Sequence, residues 1–126
     1  MKIEKVITLV AEEGKSLSSG FLRLYALPYG CVDFYAYDPL NRRAAVGIMV
    51  ANEYRRKGYA VAMLNELRQL ATTDYHLHTL YADIATTNKA SLALFGKAGY
   101  TECGHFKEWL NVDGKYIDSI RMQLIL

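Results

Sequence analysis

At Gly58 the apolar pattern of the chain changes period, and this change constrains the fold more than any other feature. Three stretches of strand character precede it. Residues 21–27 form one apolar strand, residues 31–37 alternate, and residues 42–50 end in the run Ala-Ala-Val-Gly-Ile-Met-Val expected of a buried central strand. Pro28-Tyr29-Gly30 and Asp38-Pro39-Leu40-Asn41 are turn sequences, so the three strands form an antiparallel meander. Beyond Gly58 the spacing becomes helical. Ala60, Met63, Leu64, Leu67 and Ala71 share one stripe, and Asn65, Glu66, Arg68 and Gln69 lie off it, which predicts an amphipathic helix over residues 60–71.

The remaining chain alternates between the two periods. Leu80, Ala82 and Ile84 alternate with Tyr81 and Asp83 as a strand. Residues 88–98 read as a second helix, with Asn88 at its N-cap and Gly99 past its end. Residues 101–110 and 115–126 are strands joined by Asn111-Val112-Asp113-Gly114, whose Asp-Gly pair signals a hairpin. At the start, Ile3, Val6, Ile7 and Val10 predict a short helix over residues 2–13 with Gly14 as its cap, against the strand preference of the β-branched run Val6-Ile7-Thr8. The order of elements predicts an α+β fold around a mixed, mostly antiparallel sheet flanked by helices.

Hydrophobic residues make up 52% of the 126 and charged residues 22%. Residues 1–126 thus read as one domain with its own core, and a disordered chain, a collagen-like repeat and a coiled coil are excluded. The net charge of +2 is too small to point to nucleic acid. Cys31 and Cys103 lie far apart without the spacing of a zinc site or disulfide framework, so no metal is expected. The absence of a signal-like or bilayer-length apolar run makes a cytoplasmic protein without membrane contact the expectation.

The chemistry-bearing segment is Arg55-Arg56-Lys57-Gly58-Tyr59-Ala60, a loop that follows a strand and opens a helix. The first amides of a helix lie outside its internal hydrogen-bond ladder and the macrodipole adds partial positive charge, so an anion can bind there. Gly58 allows close backbone approach to an oxygen, and three adjacent cations attract a pyrophosphate. On these six residues alone, a basic glycine turn on a solvated face is the commoner outcome. Neither G-x-x-x-x-G-K-[ST] nor a dinucleotide G-x-G-x-x-G with its acidic partner is present.

A second constellation, Asn88-Lys89-Ala90-Ser91-Leu92-Ala93-Leu94-Phe95-Gly96-Lys97-Ala98-Gly99-Tyr100, follows the strand ending at Ile84. Taken singly, Asn88 is a helix cap and Leu92, Leu94 and Phe95 are core. Together and in this order, the two segments resemble the GNAT superfamily of acetyl-CoA-dependent N-acetyltransferases. The first is similar to its pyrophosphate loop, [QR]-x-x-G-x-[GA], and the second to its N-x-x-[AS]-x-x-[LF]-[YF]-x-K-x-G-[FY] segment. The closing residues, Gly104 to Trp109 and Asp113-Gly114-Lys115-Tyr116-Ile117-Asp118, resemble the branch containing ribosomal-protein and spermidine N-acetyltransferases. The resemblance runs from about Phe21 to the C-terminus.

The resemblance implies acetyl transfer to a primary amine, such as a polyamine, a protein N-terminus or a small amine, with acetyl-CoA as co-substrate. It implies that the backbone of Ile48, Met49 and Val50 pairs with the pantetheine arm. It places the pyrophosphate on Arg55, Arg56, Lys57, Gly58, Tyr59 and Ala60, the pantetheine near Asn88, Ser91 and Phe95, and a CoA phosphate within reach of Lys97. The chain departs from the pattern at two chemical positions. Phe95 stands where the family usually has the tyrosine that protonates the leaving thiolate, and Ala45 stands near where many members have a glutamate base. No catalytic residue is thereby assigned, and Asp33, Tyr35, His105 and Glu108 are the polar side chains that could stand in. A third departure lies ahead of Phe21, where about 20 residues replace the strand and two helices that wall the family's acceptor site. That implies an open acceptor cleft or one completed by a second chain, and a homodimer. A second function class is an acetyl-CoA-binding module without catalysis. A nucleic-acid binder using Arg42, Arg43, Arg55, Arg56 and Lys57 ranks below both.

Overall fold

A computed structural model describes residues 7–126 of the chain. Seven strands and two helices follow one another: β1 (Val10–Ala11), β2 (Leu22–Ala26), β3 (Gly30–Asp38), β4 (Arg43–Val50), α1 (Tyr59–Thr73), β5 (Thr79–Ala85), α2 (Lys89–Lys97), β6 (Thr101–Val112) and β7 (Lys115–Ile125). Short 3-10 turns at Leu17–Ser19 and Asn52–Tyr54 complete the order. The strands form one sheet in the order β1-β2-β3-β4-β5-β7-β6, with β4 and β5 parallel and every other pair antiparallel. This is the mixed, mostly antiparallel α+β arrangement that the alternating periods predict.

The helix expected over residues 2–13 requires correction. Residues 1–6 lie outside the described residues, and beyond them the chain holds β1, which pairs with β2 through Val10↔Tyr25 and Ala11↔Leu24. At Val10 and Ala11 an extended conformation prevails over the helical spacing, because an extended segment gains a sheet edge to pair with. Gly14, at φ 78°, is accordingly part of a turn in which the Lys15 amide donates to the Glu12 carbonyl at 3.1 Å, rather than a helix cap.

The core lies on one face of the sheet. Leu22, Leu24, Val32, Phe34, Ala44, Val46, Leu80, Ala82, Ile84, Met122 and Leu124 pack there with Met63, Leu64, Leu67 and Ala71 of α1 and Phe95 of α2. The opposite face carries the alternate residues of the same strands. Arg23, Asp33, Tyr35, Gly47, Tyr81, Asp83 and Arg121 belong to it by register. Cys31 and Ala45 are buried on that face, outside the main core cluster. Two bidentate ion pairs cross it. Arg23 holds Asp33 at 2.8 and 3.0 Å, and Arg121 holds Asp83 at 2.7 and 3.0 Å.

The closing hairpin turns at Asp113 and Gly114, both left-handed (φ 51° and 83°), as a two-residue turn with the right-handed twist requires. Its ladder is interrupted between Phe106 and Leu110, where Glu108 has φ 50°. Asp118 holds this bulge. One carboxylate oxygen accepts from the Glu108 amide at 2.8 Å, and the other lies 2.7 Å from His105 Nε2. These bonds, that to His105 foremost, hold the Asp118 carboxyl below the usual carboxylate range. A group depressed in the folded state contributes stability above its unfolded value and loses that contribution as pH falls through its folded one. Asp118→Asn should therefore lower stability at neutral pH, and the gap to the wild type should close on acidification below the carboxylate range. Denaturant unfolding of both proteins at the two pH values measures this.

Tyr100, 3% exposed, lies edge-on to Phe95 with ring centroids 5.0 Å apart, and its hydroxyl is buried without a hydrogen-bond partner. Such a group loses its water and gains nothing in return. Tyr100→Phe should leave stability unchanged or raise it by about 1 kcal/mol, measured by urea unfolding.

Candidate functional site

The parallel pair at the centre of the sheet is short. β4 and β5 pair only through Arg43↔Thr79, Ala44↔Leu80 and Ala45↔Tyr81. Beyond this point each strand continues with its other neighbour, β4 with β3 as far as Val50 and β5 with β7 as far as Ala85. Residues 46–50 and 82–85 thus face each other without a ladder between them. The split leaves a wedge whose inner edges are backbone amides and carbonyls. Backbone groups in such an edge need a partner, either water or an inserted extended chain. Ile48, Met49 and Val50 line the β4 side. Behind Met49 the β2–β3 turn comes so close that a Cβ at Gly30 would collide with the Met49 carbonyl.

Both helices start at the mouth of this wedge, because both follow the C-terminal ends of the two parallel strands. At α1, Gly58 is the N-cap in the left-handed region (φ 85°, ψ 2°), and Arg56 two residues earlier is left-handed as well (φ 61°). The first bond of the helix runs from the Ala62 amide to the Gly58 carbonyl, so the amides of Ala60 and Val61 precede the ladder and point out of the helix end. Arg55, Arg56, Lys57 and Gly58 are exposed. Arg55 ties the loop back to the strand, donating from Nε to the Val50 carbonyl at 3.0 Å. At α2, the Asn88 side-chain oxygen accepts from the Ser91 amide at 3.1 Å, the cap that the sequence predicts. The structure thus brings residues 48–50, 55–60, Asn88 and Ser91 to one opening.

Two candidate residues lie elsewhere. Lys97 ends α2, about 12 Å along the helix axis from its start at the wedge mouth, so it is not gathered with the glycine loop. Phe95 is 3% exposed and belongs to the main core, against Tyr100.

The structure adds groups that sequence reasoning does not place. Tyr29, from the turn before β3, stacks on Tyr59 at 4.1 Å and meets Tyr54 edge-on at 4.9 Å. This three-ring cluster fixes the start of α1 against the β2–β3 turn. On the sheet face away from the helices, Tyr35 stands opposite Ala45, the last β4 residue paired to β5. Burial, and then the Asp83 carboxylate, pushes the Tyr35 hydroxyl above its ordinary range. Of the remaining polar candidates, Asp33 is engaged by Arg23 and His105 by Asp118, while Glu108 is held on the hairpin by its backbone amide, which donates to Asp118. Among the described residues, no three His, Cys, Asp or Glu side chains gather as a metal site, and no helix is long and apolar enough to cross a membrane.

The chain is similar in sequence and fold to known proteins. The chain is 29% identical over 96 residues to the spermidine N(1)-acetyltransferase of Vibrio cholerae, covering 76% of this chain and 56% of that protein. It is 32% identical over 73 residues to an N-alpha-acetyltransferase of Saccharolobus solfataricus, covering 58% and 40%. The chain thus spans about half the length of the curated relatives it matches. The crystal structure of the Vibrio cholerae spermidine N-acetyltransferase in complex with CoA and spermine superposes with a TM-score of 0.80 at 26% identity, covering 86% of this chain and 67% of that one. Residues 9–101 match the sequence pattern of the acetyltransferase (GNAT) domain. With three quarters of its length inside that pattern and the same fold, the chain belongs to the GNAT acetyltransferase family.

Proposed function

We propose that the protein transfers an acetyl group from acetyl-CoA to a primary amine by direct attack with both substrates bound. The wedge between β4 and β5, with a left-handed glycine loop and a capped helix at its mouth, carries this reading. The wedge fits an extended, amide-bearing arm. Residues 48–50 offer an unladdered strand edge to the two amides of a pantetheine, as a sheet edge receives an added strand. The amides of residues 56–60 and the positive end of α1 face the pyrophosphate, with Arg56 and Lys57 adding charge. Asn88 and Ser91 lie on the other lip. The thioester supplies an activated acyl carbon and a good leaving group.

The protein's own contribution is positional and electrostatic. Holding amine and thioester together converts a bimolecular encounter into a local one. An amide on the β4 edge donates to the developing oxyanion. Phe95 has no proton to give and Ala45 cannot accept one, so neither residue performs the proton transfers. A polyamine acceptor is supported by the relatives named for spermidine and by the solved complex with spermine. Self-association belongs to the same proposal, since the Vibrio cholerae enzyme has been solved as a dodecamer. A second reading, acetyl-CoA binding without turnover, draws on Phe95 and Ala45.

Acetyl-CoA should stabilise the fold in a concentration-dependent way, by about 2.7 kcal/mol at a hundredfold excess over Kd. Gly58→Asp should abolish that shift. Asp tolerates the left-handed conformation better than most residues, so the fold survives, while its carboxylate occupies and repels the phosphate position. A melting curve unmoved by millimolar acetyl-CoA would refute the proposal, and unaltered calorimetric affinity in the variant would remove the loop from it. Thiol release across a panel of primary amines, beginning with spermine and spermidine, separates enzyme from binder.

A further inference from the structure

The sheet face opposite the helices presents a tyrosine hydroxyl beside the split. Tyr35 on β3 pairs with Ala45 on β4, and Ala45 pairs with Tyr81 on β5 in the last row before the split. In the next row Gly47 follows on β4 and Asp83 on β5, now separated by the wedge. The Tyr35 ring leans into this second row. Its Cε1 lies 3.7 Å from the position that a Cβ on Gly47 would take. Ala45 and Gly47 are the two smallest side chains available, and they let a ring rooted on β3 lie across β4. Ala45 is only 1% exposed although no helix covers that face.

The surroundings of Tyr35 agree with this placement. The charged and titratable groups acting on it are Asp33 on its own strand, Tyr81 and Asp83 on β5, and Arg121 on β7. Three of these lie beyond β4, on the far side of the wedge. Both carboxylates are occupied, Asp33 by Arg23 and Asp83 by Arg121. Arg121 further lies over the Tyr81 ring at 4.4 Å, which fixes that side of the fork. Tyr35 is 38% exposed and no described side-chain bond engages its hydroxyl.

Resting on the acetyltransferase reading above, we infer that the Tyr35 hydroxyl relays a proton from the attacking nitrogen to the departing sulfur at the fork of β4 and β5. A hydroxyl donates and accepts at once. As nitrogen bonds to the acyl carbon and the carbon–sulfur bond breaks, the electron pair of that bond stays on sulfur. The nitrogen gives one proton to the Tyr35 oxygen while the Tyr35 proton passes to sulfur. A neutral amine and a thioester become an amide and a thiol, and the tyrosine is unchanged. Burial and the nearby carboxylates disfavour a free phenolate, so the concerted route is preferred over ionisation of the ring.

Tyr35→Phe keeps the ring over Gly47 and removes only the oxygen. With CoA bound, the thiol of the wild-type complex should titrate about one pH unit lower than that of the variant complex, read from thiolate absorbance, because the hydroxyl donates to the thiolate. With spermine as acceptor, kcat should fall about 10²-fold while the KM for acetyl-CoA stays unchanged. Gly47→Val, which displaces the ring and retains the hydroxyl, should raise the bound thiol's pKa in the same way. An equal thiol titration in wild type and Tyr35→Phe overturns the inference, even in a protein that binds CoA without turning over. Unchanged kcat in Tyr35→Phe does so as well. Failure of the wild type to bind CoA instead overturns the acetyltransferase reading itself.

Discussion

The parting of two parallel strands after three paired residues is the constraint on which the rest of the molecule depends. A sheet does not normally surrender backbone hydrogen bonds at its centre, where unmade ones are costly. Here each strand keeps a ladder on its outer side, β4 with β3, broken once between Tyr35 and Asp38, and β5 with β7. The sheet is therefore two antiparallel halves joined along a short parallel seam. The apolar face is still continuous, because Val46, Ala82 and Ile84 on the two sides of the split bury into one core with α1 and α2. Packing on one face thus holds open a gap in the hydrogen bonding.

The same division explains how unlike the two faces are. One face gives its alternate residues to the helices and is almost wholly apolar. The other carries arginine–carboxylate pairs that bridge neighbouring strands, Arg23 with Asp33 and Arg121 with Asp83. The partly exposed geometry limits what such pairs add to stability. Their effect here is orientation: each bidentate fork fixes a carboxylate beside the fork of the strands and leaves a tyrosine between them.

Much of this is legible in the sequence, and the limits are physical. The meander, both helices, the Asn88 cap and the Asp113-Gly114 turn all rest on local periodicity or turn chemistry, and they stand where the pattern puts them. The two motifs open the helices that follow the parted strands. The split itself is a matter of which strand pairs with which and for how long, and an apolar run such as residues 44–50 carries no sign of where its neighbour leaves it. Tyr29, Tyr54 and Tyr59 meet from three separate segments, so no spacing announces them. The motif sets Phe95 against a ligand, but its place on the α2 face turns it into the core. One faint signal exists for Tyr35: Ala45 and Gly47, two very small residues on one face of a central strand, leave room for a neighbour's ring. The opening residues mislead because Ile7 and Val10 satisfy a helical spacing and a strand preference alike, and only the free edge of β2 decides between them.

The edges of the sheet have a consequence for how the protein behaves in concentrated solution. β1 is two residues long and offers almost nothing to pair with. β6 is twelve residues long and would be an open template for strand addition, the first step towards fibrous self-assembly. Its register against β7 breaks twice, so that no more than three successive residues stay in line, and Glu102, Lys107 and Glu108 stand exposed along it. A strand that arrived at this edge would meet a twist and a charge before it could form a ladder. The bulges in the closing hairpin thus act as a solubility device, keeping a long sheet border from propagating into aggregates.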